Sequence, residues 1–264
     1  MSESDPPGWL VRLGRVGYAA KGFIYIVVGF LAITASIGLG GGTTDTRGAI
    51  RAIGAMPFGF VALIAVSLGL LGYAGWRVAS AITDAERRGS SLKAIALRIG
   101  EVFRGLVYGA LGASTLKYLI DRDNDTSDKA REMTRWALHF PAGRWVVMGT
   151  GAGILGYALY QLYRAIKRKY LRRLDLSPAS PRTRMLMEKL GGFGIAARAV
   201  VFGMIGFFIL RAGWEYDPSK AGGIEKSLDA IRNHSLIFGI IAAGLIAFGV
   251  LQIATARYRV MRES

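Results

Sequence analysis

The sequence contains no cysteine, only two histidines, and 18 acidic residues against 34 lysines and arginines. The absence of cysteine excludes disulfides, thiolate metal sites and cysteine nucleophiles. The two histidines, His139 and His234, are too few for a haem or zinc site without other ligands. We therefore expect no catalytic residue, no cofactor and no metal site, and we do not expect an enzyme.

Apolar residues, in contrast, make up 52% of the chain, and only 20% of its residues are charged. The apolar residues are concentrated in segments 16–37, 58–82, 98–120, 145–163, 192–212 and 236–256. Each segment approaches or exceeds the roughly 20 residues that cross about 30 Å of hydrocarbon. No charged residue occurs from Phe58 to Ala74 or from Ser235 to Ala256. The sequence therefore predicts an all-α, polytopic membrane protein with six transmembrane helices in a single membrane domain, residues 1–264.

The basic residues are divided unevenly between the two ends of these helices. The side that carries the N-terminus has 22 lysines and arginines, and the opposite side has 12. The positive-inside rule then predicts that both termini are cytoplasmic. The acidic start MSESDPPGWL lacks the features of a cleavable signal peptide, so we expect the first helix to be retained.

The densest basic block is RAIKRKYLRR, from Arg164 to Arg173. It follows the fourth apolar segment as a stop-transfer anchor does, and it predicts contact with anionic lipid headgroups on the cytoplasmic face. Nucleic acid is not an expected partner, because interleaved base-stacking aromatics and a soluble binding module are both missing. The lipid bilayer is the expected partner, and the sequence also allows a membrane-protein partner or a homo-oligomer.

The chain contains three copies of one two-helix unit, spaced 83 and 94 residues apart. The first helix of each unit carries KGFIY, RGLVY or RAVVF, which begin at Lys21, Arg104 and Arg198. The second helix carries GLLGY, GILGY or GLIAF, which begin at Gly69, Gly153 and Gly244. The units are residues 10–84, 97–168 and 189–260. Two crossings return the chain to its starting side, so we expect three parallel repeats related by a pseudo-threefold axis along the membrane normal.

These motifs, together with the Pro57-Phe58-Gly59 start of the second helix, resemble the membrane proteins that contain the domain of unknown function 1206. The resemblance covers residues 10–260 as three repeats. The third repeat departs most from the pattern, with Ala199 in place of glycine and Phe202 and Phe248 in place of tyrosine. The family implies a bacterial six-helix inner-membrane protein and no established activity.

Polar residues recur at matching depths in the three units, and they are the candidate ligand positions. The first helices carry the cations Lys21, Arg104 and Arg198, and the second helices carry Arg77, Gln161 and Gln252. For the three cations we expect extension to the cytoplasmic headgroups, with anion binding at a central axis as the alternative. For the second set we expect interhelical hydrogen bonds, with ligand binding as the alternative. Glu101 is expected to pair with Arg104 or, across repeats, with Lys21.

Three further patterns concern packing. The pairs Gly105–Gly109 and Gly149–Gly153 are expected to let helices approach closely. Residues 48–53, 133–138 and 226–231 predict short amphipathic helices on the outer interface. The aromatic positions one turn deeper than the second polar set are expected to pack: Tyr73, Tyr157 and Phe248.

The sequence predicts function only in outline. Short loops and the absence of a soluble domain favour a structural, accessory or partner-binding membrane protein. The alternative is a small transporter or channel, or a binder of anionic lipid. Its site would lie near the cytoplasmic end of the pseudo-threefold axis and would use the six polar positions named above.

Overall fold

The structure, a computed structural model, describes residues 8–36, 46–84, 89, 91–121, 129–232 and 234–258. In these residues the chain forms six long α-helices and three short ones. In chain order they are Gly8–Ser36 (α1), Thr46–Gly54 (α2), Gly59–Ile82 (α3), Leu92–Asp121 (α4), Lys129–Leu138 (α5), Gly143–Ile166 (α6), Pro181–Trp214 (α7), Ile224–Ala230 (α8) and Ser235–Tyr258 (α9).

Four of the long helices are long and apolar enough to cross a membrane, namely Val11–Thr34, Gly59–Ile82, Pro181–Trp214 and Leu236–Tyr258. At 1.5 Å per residue, the 23 residues of the shortest span about 34 Å, more than the ~30 Å of hydrocarbon. The predicted spans 98–120 and 145–163 lie within α4 and α6, which are as long but less apolar. Length and composition therefore indicate a membrane protein with four such helices among the described residues.

The Pro-x-Gly motif at residues 57–59, which recurs at 141–143, forms a tight junction between a short and a long helix. Proline cannot continue the preceding helix, because its ring removes a backbone donor and crowds the turn before it. A Cβ at Gly59 would lie 2.1 Å from the carbonyl oxygen of Ile53, and Gly143 meets the same kind of obstruction. Only glycine fits where the backbone of the short helix comes this close.

The short helices confirm the three predicted amphipathic segments. In α2, Ala49, Ile50 and Ile53 are buried, and in α8 Leu228 is fully buried. In α5, Leu138 is buried while the opposite face is exposed. Their location at the outer interface stays a prediction.

The long helices pack against one another in the order α4, α3, α1, α9, α7, α6. The apolar core lies largely along the central members of this series, and its fully buried side chains include Leu63, Leu70, Phe238 and Leu245. Within the described residues, α4 and α6, the two ends of the series, do not pack along each other. The bundle is therefore open between α4 and α6.

Glycines allow the closest helix approaches. A Cβ at Gly22 in α1 would lie 2.5 Å from the carbonyl oxygen of Gly249 in α9, and the reverse distance is also 2.5 Å. A Cβ at Gly105 in α4 would lie 3.1 Å from the carbonyl oxygen of Ala74 in α3, and one at Gly109 would meet the Ala74 side chain at 3.3 Å. The close approach predicted for Gly105 and Gly109 is confirmed.

Candidate functional site

A cavity of about 860 Å³ lies between the long helices, and all six of them contribute side chains to its wall. The polar positions predicted from the sequence all line it: Lys21, Arg77, Arg104, Gln161, Arg198 and Gln252. The structure thus brings together polar residues from all three repeats.

Lys21 faces the cavity from α1, and only 6% of the residue is exposed. Its Nζ lies 4.6 Å from the centroid of the Tyr108 ring, 5.4 Å from that of Tyr73 and 5.6 Å from that of Phe248. Aromatic faces attract a cation, and among the described residues no carboxylate lies within ion-pair distance of Lys21. The predicted extension of Lys21 to the headgroups is therefore wrong, since α1 packs between α3 and α9 and turns this side chain inward.

Arg198 of α7 has a similar environment and is 8% exposed, so its predicted extension to the headgroups is also wrong. Its Nε donates a hydrogen bond to the hydroxyl of Tyr25 at 3.1 Å. The guanidinium carbon lies 4.3 Å from the centroid of the Phe202 ring and 4.9 Å from that of Phe248. In the part of the chain that the structure describes, Arg198 contacts rings and hydroxyls but no carboxylate.

Glu101 of α4 forms ion pairs with two further cations of the cavity, Arg77 and Arg104. One carboxylate oxygen accepts from Arg77 of α3, and the other accepts from Arg104 at 3.2 Å. Arg77 also donates to the hydroxyl of Tyr73 at 2.9 Å and to the hydroxyl of Tyr18. The predicted pair with Arg104 is confirmed, whereas the structure puts Arg77, and not Lys21, on the second oxygen. The side chain of Arg104 is 33% exposed, so this cation lies at the edge of the buried cluster.

The glutamines are the remaining predicted positions. Gln161 of α6 accepts a hydrogen bond from Arg164 at 2.9 Å, within its own helix. Gln252 of α9 is 9% exposed and lines the cavity. Arg77 therefore makes the predicted interhelical hydrogen bond, to Glu101 of α4. Gln161 instead accepts its hydrogen bond from a residue of its own helix.

The charge balance of the cavity is strongly positive. Five cationic side chains line it, from Lys21, Arg77, Arg104, Arg164 and Arg198. Among the described residues, the lining contains no aspartate or glutamate, and Glu101 contacts the cluster from behind Arg77 and Arg104. No group of three or more histidine, aspartate or glutamate side chains in the described part of the chain could hold a metal ion. The arrangement is suited to binding an anion.

Sequence reasoning assigned no role in the site to the aromatic residues that surround these cations. Each first helix has an aromatic residue four positions after its cation, and all three line the cavity: Tyr25, Tyr108 and Phe202. The aromatic positions predicted only to pack, Tyr73, Tyr157 and Phe248, line it too. The repeat motif itself contained the signal, because in a helix the fourth residue after a cation lies on the same face.

The cavity opens sideways between α4 and α6. On the α4 side Phe103 and Val107 line it and are 66% and 49% exposed. On the α6 side a Cβ at Gly153 would have no atom within 4 Å. The predicted close packing at Gly149 and Gly153 is therefore wrong, and Gly151 takes that role, where a Cβ would lie 2.5 Å from the Leu210 nitrogen of α7.

In the described residues, the first and third repeats are closed at the position that corresponds to this opening. In the first repeat, a Cβ at Gly69 would lie 2.7 Å from the Cβ of Ala20, and in the third, one at Gly244 would lie 2.2 Å from the Cβ of Ala197. These glycines close the helix pairs α1–α3 and α7–α9. Gly153 is their counterpart in α6, and it faces open space. The second helix pair is therefore spread apart although its sequence retains the small residue.

The chain is similar to a protein family and to a bacterial protein. The family model described as Domain of Unknown Function (DUF1206) matches residues 16–84, 99–168 and 193–259, so each match contains one whole long helix and the greater part of another. An "Uncharacterized protein YxxB" of Bacillus subtilis (strain 168) is 31% identical over 257 residues, which cover 96% of this chain and 92% of that protein. No solved structure matches the chain.

Proposed function

The chain belongs to the DUF1206 family, and from that premise we propose that it is a membrane protein that binds an anion in the cavity between its long helices. The proposal depends most on one observation: Lys21 and Arg198 are both at least nine-tenths buried, and no carboxylate of the described residues contacts either. Neither the family description nor the name of the Bacillus relative states an activity.

A buried charge without a counter-charge is costly, because transfer from water removes its hydration. Aromatic faces offset part of this cost, on the order of 2 kcal/mol for each desolvated contact. A bound anion would supply the missing counter-charge to Lys21 and Arg198. The rings and hydroxyls hold the two cations in place while the site is empty.

The donors in the cavity favour an anion with several oxygen acceptors, such as a phosphate or a carboxylate. Arginine presents its donors in a planar fork that matches these groups, and lysine adds a compact charge. Gln252 adds an amide that can donate or accept.

The proposal includes the full membrane architecture. We propose that α4 and α6 cross the bilayer with the other four long helices, with both termini cytoplasmic in a bacterial inner membrane. The packing order supports a pseudo-threefold arrangement, because each second helix packs on the first helix of the next repeat: α3 on α4, α6 on α7 and α9 on α1. The basic block 164–173 would then contact anionic headgroups at the cytoplasmic face.

Single cysteines can test this topology, since the chain has none of its own. Ala142→Cys, in the exposed turn before α6, should react with a membrane-impermeant maleimide in intact cells, because six crossings place it outside. Exposed Ser219→Cys is the outside control and exposed Ser177→Cys the cytoplasmic control. Protection of Ala142→Cys until the cells are lysed would mean that α4 and α6 do not cross, and would overturn the six-span architecture.

Anion binding can be tested by thermal unfolding of the purified protein in detergent. Inorganic phosphate should raise the unfolding temperature more than sodium chloride of equal ionic strength, because a ligand at 100 times its Kd adds about 2.7 kcal/mol to stability. Lys21→Met should lose most of this increase.

The variant is also the control for general salt effects, because phosphate stabilises proteins through exclusion from their surfaces. In the absence of phosphate, the proposal predicts that Lys21→Met is at least as stable as the wild type, since it removes an uncompensated buried charge. A purely structural or accessory role for Lys21 predicts a less stable variant. Equal phosphate shifts in the two proteins would show that inorganic phosphate does not bind at Lys21 and would reject a site for small oxyanions there.

A further inference from the structure

The polarity of the cavity wall changes along the helices that border the opening. On α6, Arg164 and Gln161 line one end of the cavity. Thr150 lines the cavity 11 residues before Gln161, which corresponds to about 16 Å at 1.5 Å per residue. On α4, Arg104 is followed by the apolar residue Leu111 along the same wall. One end of the cavity is therefore cationic and the other is mainly apolar.

The cationic ends of α4 and α6 coincide. The guanidinium carbon of Arg104 lies 5.9 Å from the ring centroid of Tyr157, one helical turn from Gln161. Lys21 and Arg198 belong to the same cluster, since both lie beside the Phe248 ring at 5.6 and 4.9 Å. An anionic group at this end would meet cations from three different helices.

The rim of the opening is apolar rather than polar. Phe103 and Val107 are 66% and 49% exposed there, and on the opposite border Gly153 contributes no side chain. In the proposed six-span arrangement this border faces the hydrocarbon of the bilayer. A molecule that enters from the bilayer meets an apolar rim first and a buried cationic cluster behind it.

We propose that the anion is a membrane phospholipid with a net negative charge, which enters sideways between α4 and α6. Its phosphate contacts Lys21, Arg104 and Arg198, and its acyl chains lie along the apolar wall and extend through the opening. This inference rests on the proposed function and adds the class of ligand and its route. The cationic cluster selects a headgroup with a net negative charge, and the apolar wall accommodates the acyl chains. A cavity of about 860 Å³ admits the headgroup and the adjoining parts of the chains while the rest stays in the bilayer.

The test uses native mass spectrometry of the full-length protein after exchange with vesicles of phosphatidylglycerol or phosphatidylcholine with identical acyl chains. We expect wild-type protein to retain phosphatidylglycerol at an occupancy at least about tenfold higher than that of phosphatidylcholine. Gly153→Phe, which fills the opening, should lower phosphatidylglycerol occupancy by at least about tenfold. Gly75→Phe is the matched control, because its Cβ also has no atom within 4 Å but Gly75 does not line the cavity.

The phosphate titration separates this inference from the proposed function. If phosphate stabilises the protein but phosphatidylglycerol is not preferred over phosphatidylcholine, the site binds a soluble anion and the lipid inference is wrong. Unchanged phosphatidylglycerol occupancy in Gly153→Phe would reject the sideways route. If neither phosphate nor phosphatidylglycerol binds, both the lipid inference and the proposed function are wrong.

Discussion

Glu101→Gln is expected to lower the free energy of unfolding by about 3–5 kcal/mol, the usual cost of breaking a buried ion pair on one side. Glu101 is 3% exposed, and its carboxylate contacts Arg77 and Arg104. The substitution keeps the shape of the side chain and removes its charge. The guanidinium of Arg77, whose side chain is 5% exposed, then loses the carboxylate it contacts, in a cluster that already holds Lys21 and Arg198. Denaturant unfolding in mixed micelles measures the loss.

Two further proteins make this result interpretable. Glu215→Gln removes an equivalent pair with Arg211 at the surface, where the side chains are 35% and 47% exposed, and should cost less than about 1 kcal/mol. The double variant Glu101→Gln with Arg77→Met removes both partners and should recover part of the stability. A Glu101→Gln protein as stable as Glu215→Gln would show that the buried cluster needs no carboxylate.

Replacing both Lys21 and Arg198 by methionine is expected to weaken anion binding on the order of 10²–10⁴-fold. A hydrogen bond to a charged group contributes about 1.5–3 kcal/mol, and each 1.4 kcal/mol changes the affinity tenfold. Ligand-free stability should not fall, because neither cation contacts a carboxylate of the described residues. Anion occupancy in native mass spectra measures the effect.

The control for this variant removes two cations that lie outside the cavity. Arg211→Met with Arg232→Met changes the net charge equally, and these side chains are 47% and 52% exposed. Its anion occupancy should match that of the wild type. Loss of occupancy in both double variants would indicate a general effect of charge and would contradict a specific site.

The internal repeats made the candidate site predictable from the sequence. Matching positions in parallel repeats are expected at matching depths, and on that basis the repeat motif selected six of the polar residues that line the cavity. The short helices were predictable because apolar and charged residues alternate with a helical period in those segments. The pair between Glu101 and Arg104 followed from a spacing of three residues on one helix.

The direction in which a side chain points around its helix could not be derived in the same way. From its predicted depth in the membrane alone, Lys21 is expected at the interface. The packing of α1 between α3 and α9 turns its side chain inward. The glycines of α6 show the same limit. Gly149 and Gly151 are equally small, but two residues turn the helix by about 200°. Gly151 therefore meets α7, whereas Gly149 faces open space.

The opening in the second repeat could not be predicted from the sequence either. Gly69, Gly153 and Gly244 occupy the same motif position, and nothing in the motif distinguishes the second repeat from the other two. The structure separates α4 from α6, and a Cβ at Gly153 would have no atom within 4 Å. A difference between identical residues arises from tertiary packing, which local patterns do not encode.

Native mass spectrometry of wild-type protein released gently from its own membrane shows directly whether the cavity holds an anion. We predict a bound anion of defined mass, at an occupancy at least about tenfold above that of the protein with Lys21→Met and Arg198→Met. Wild-type protein without a bound anion, or equal occupancy in the two proteins, would contradict the account.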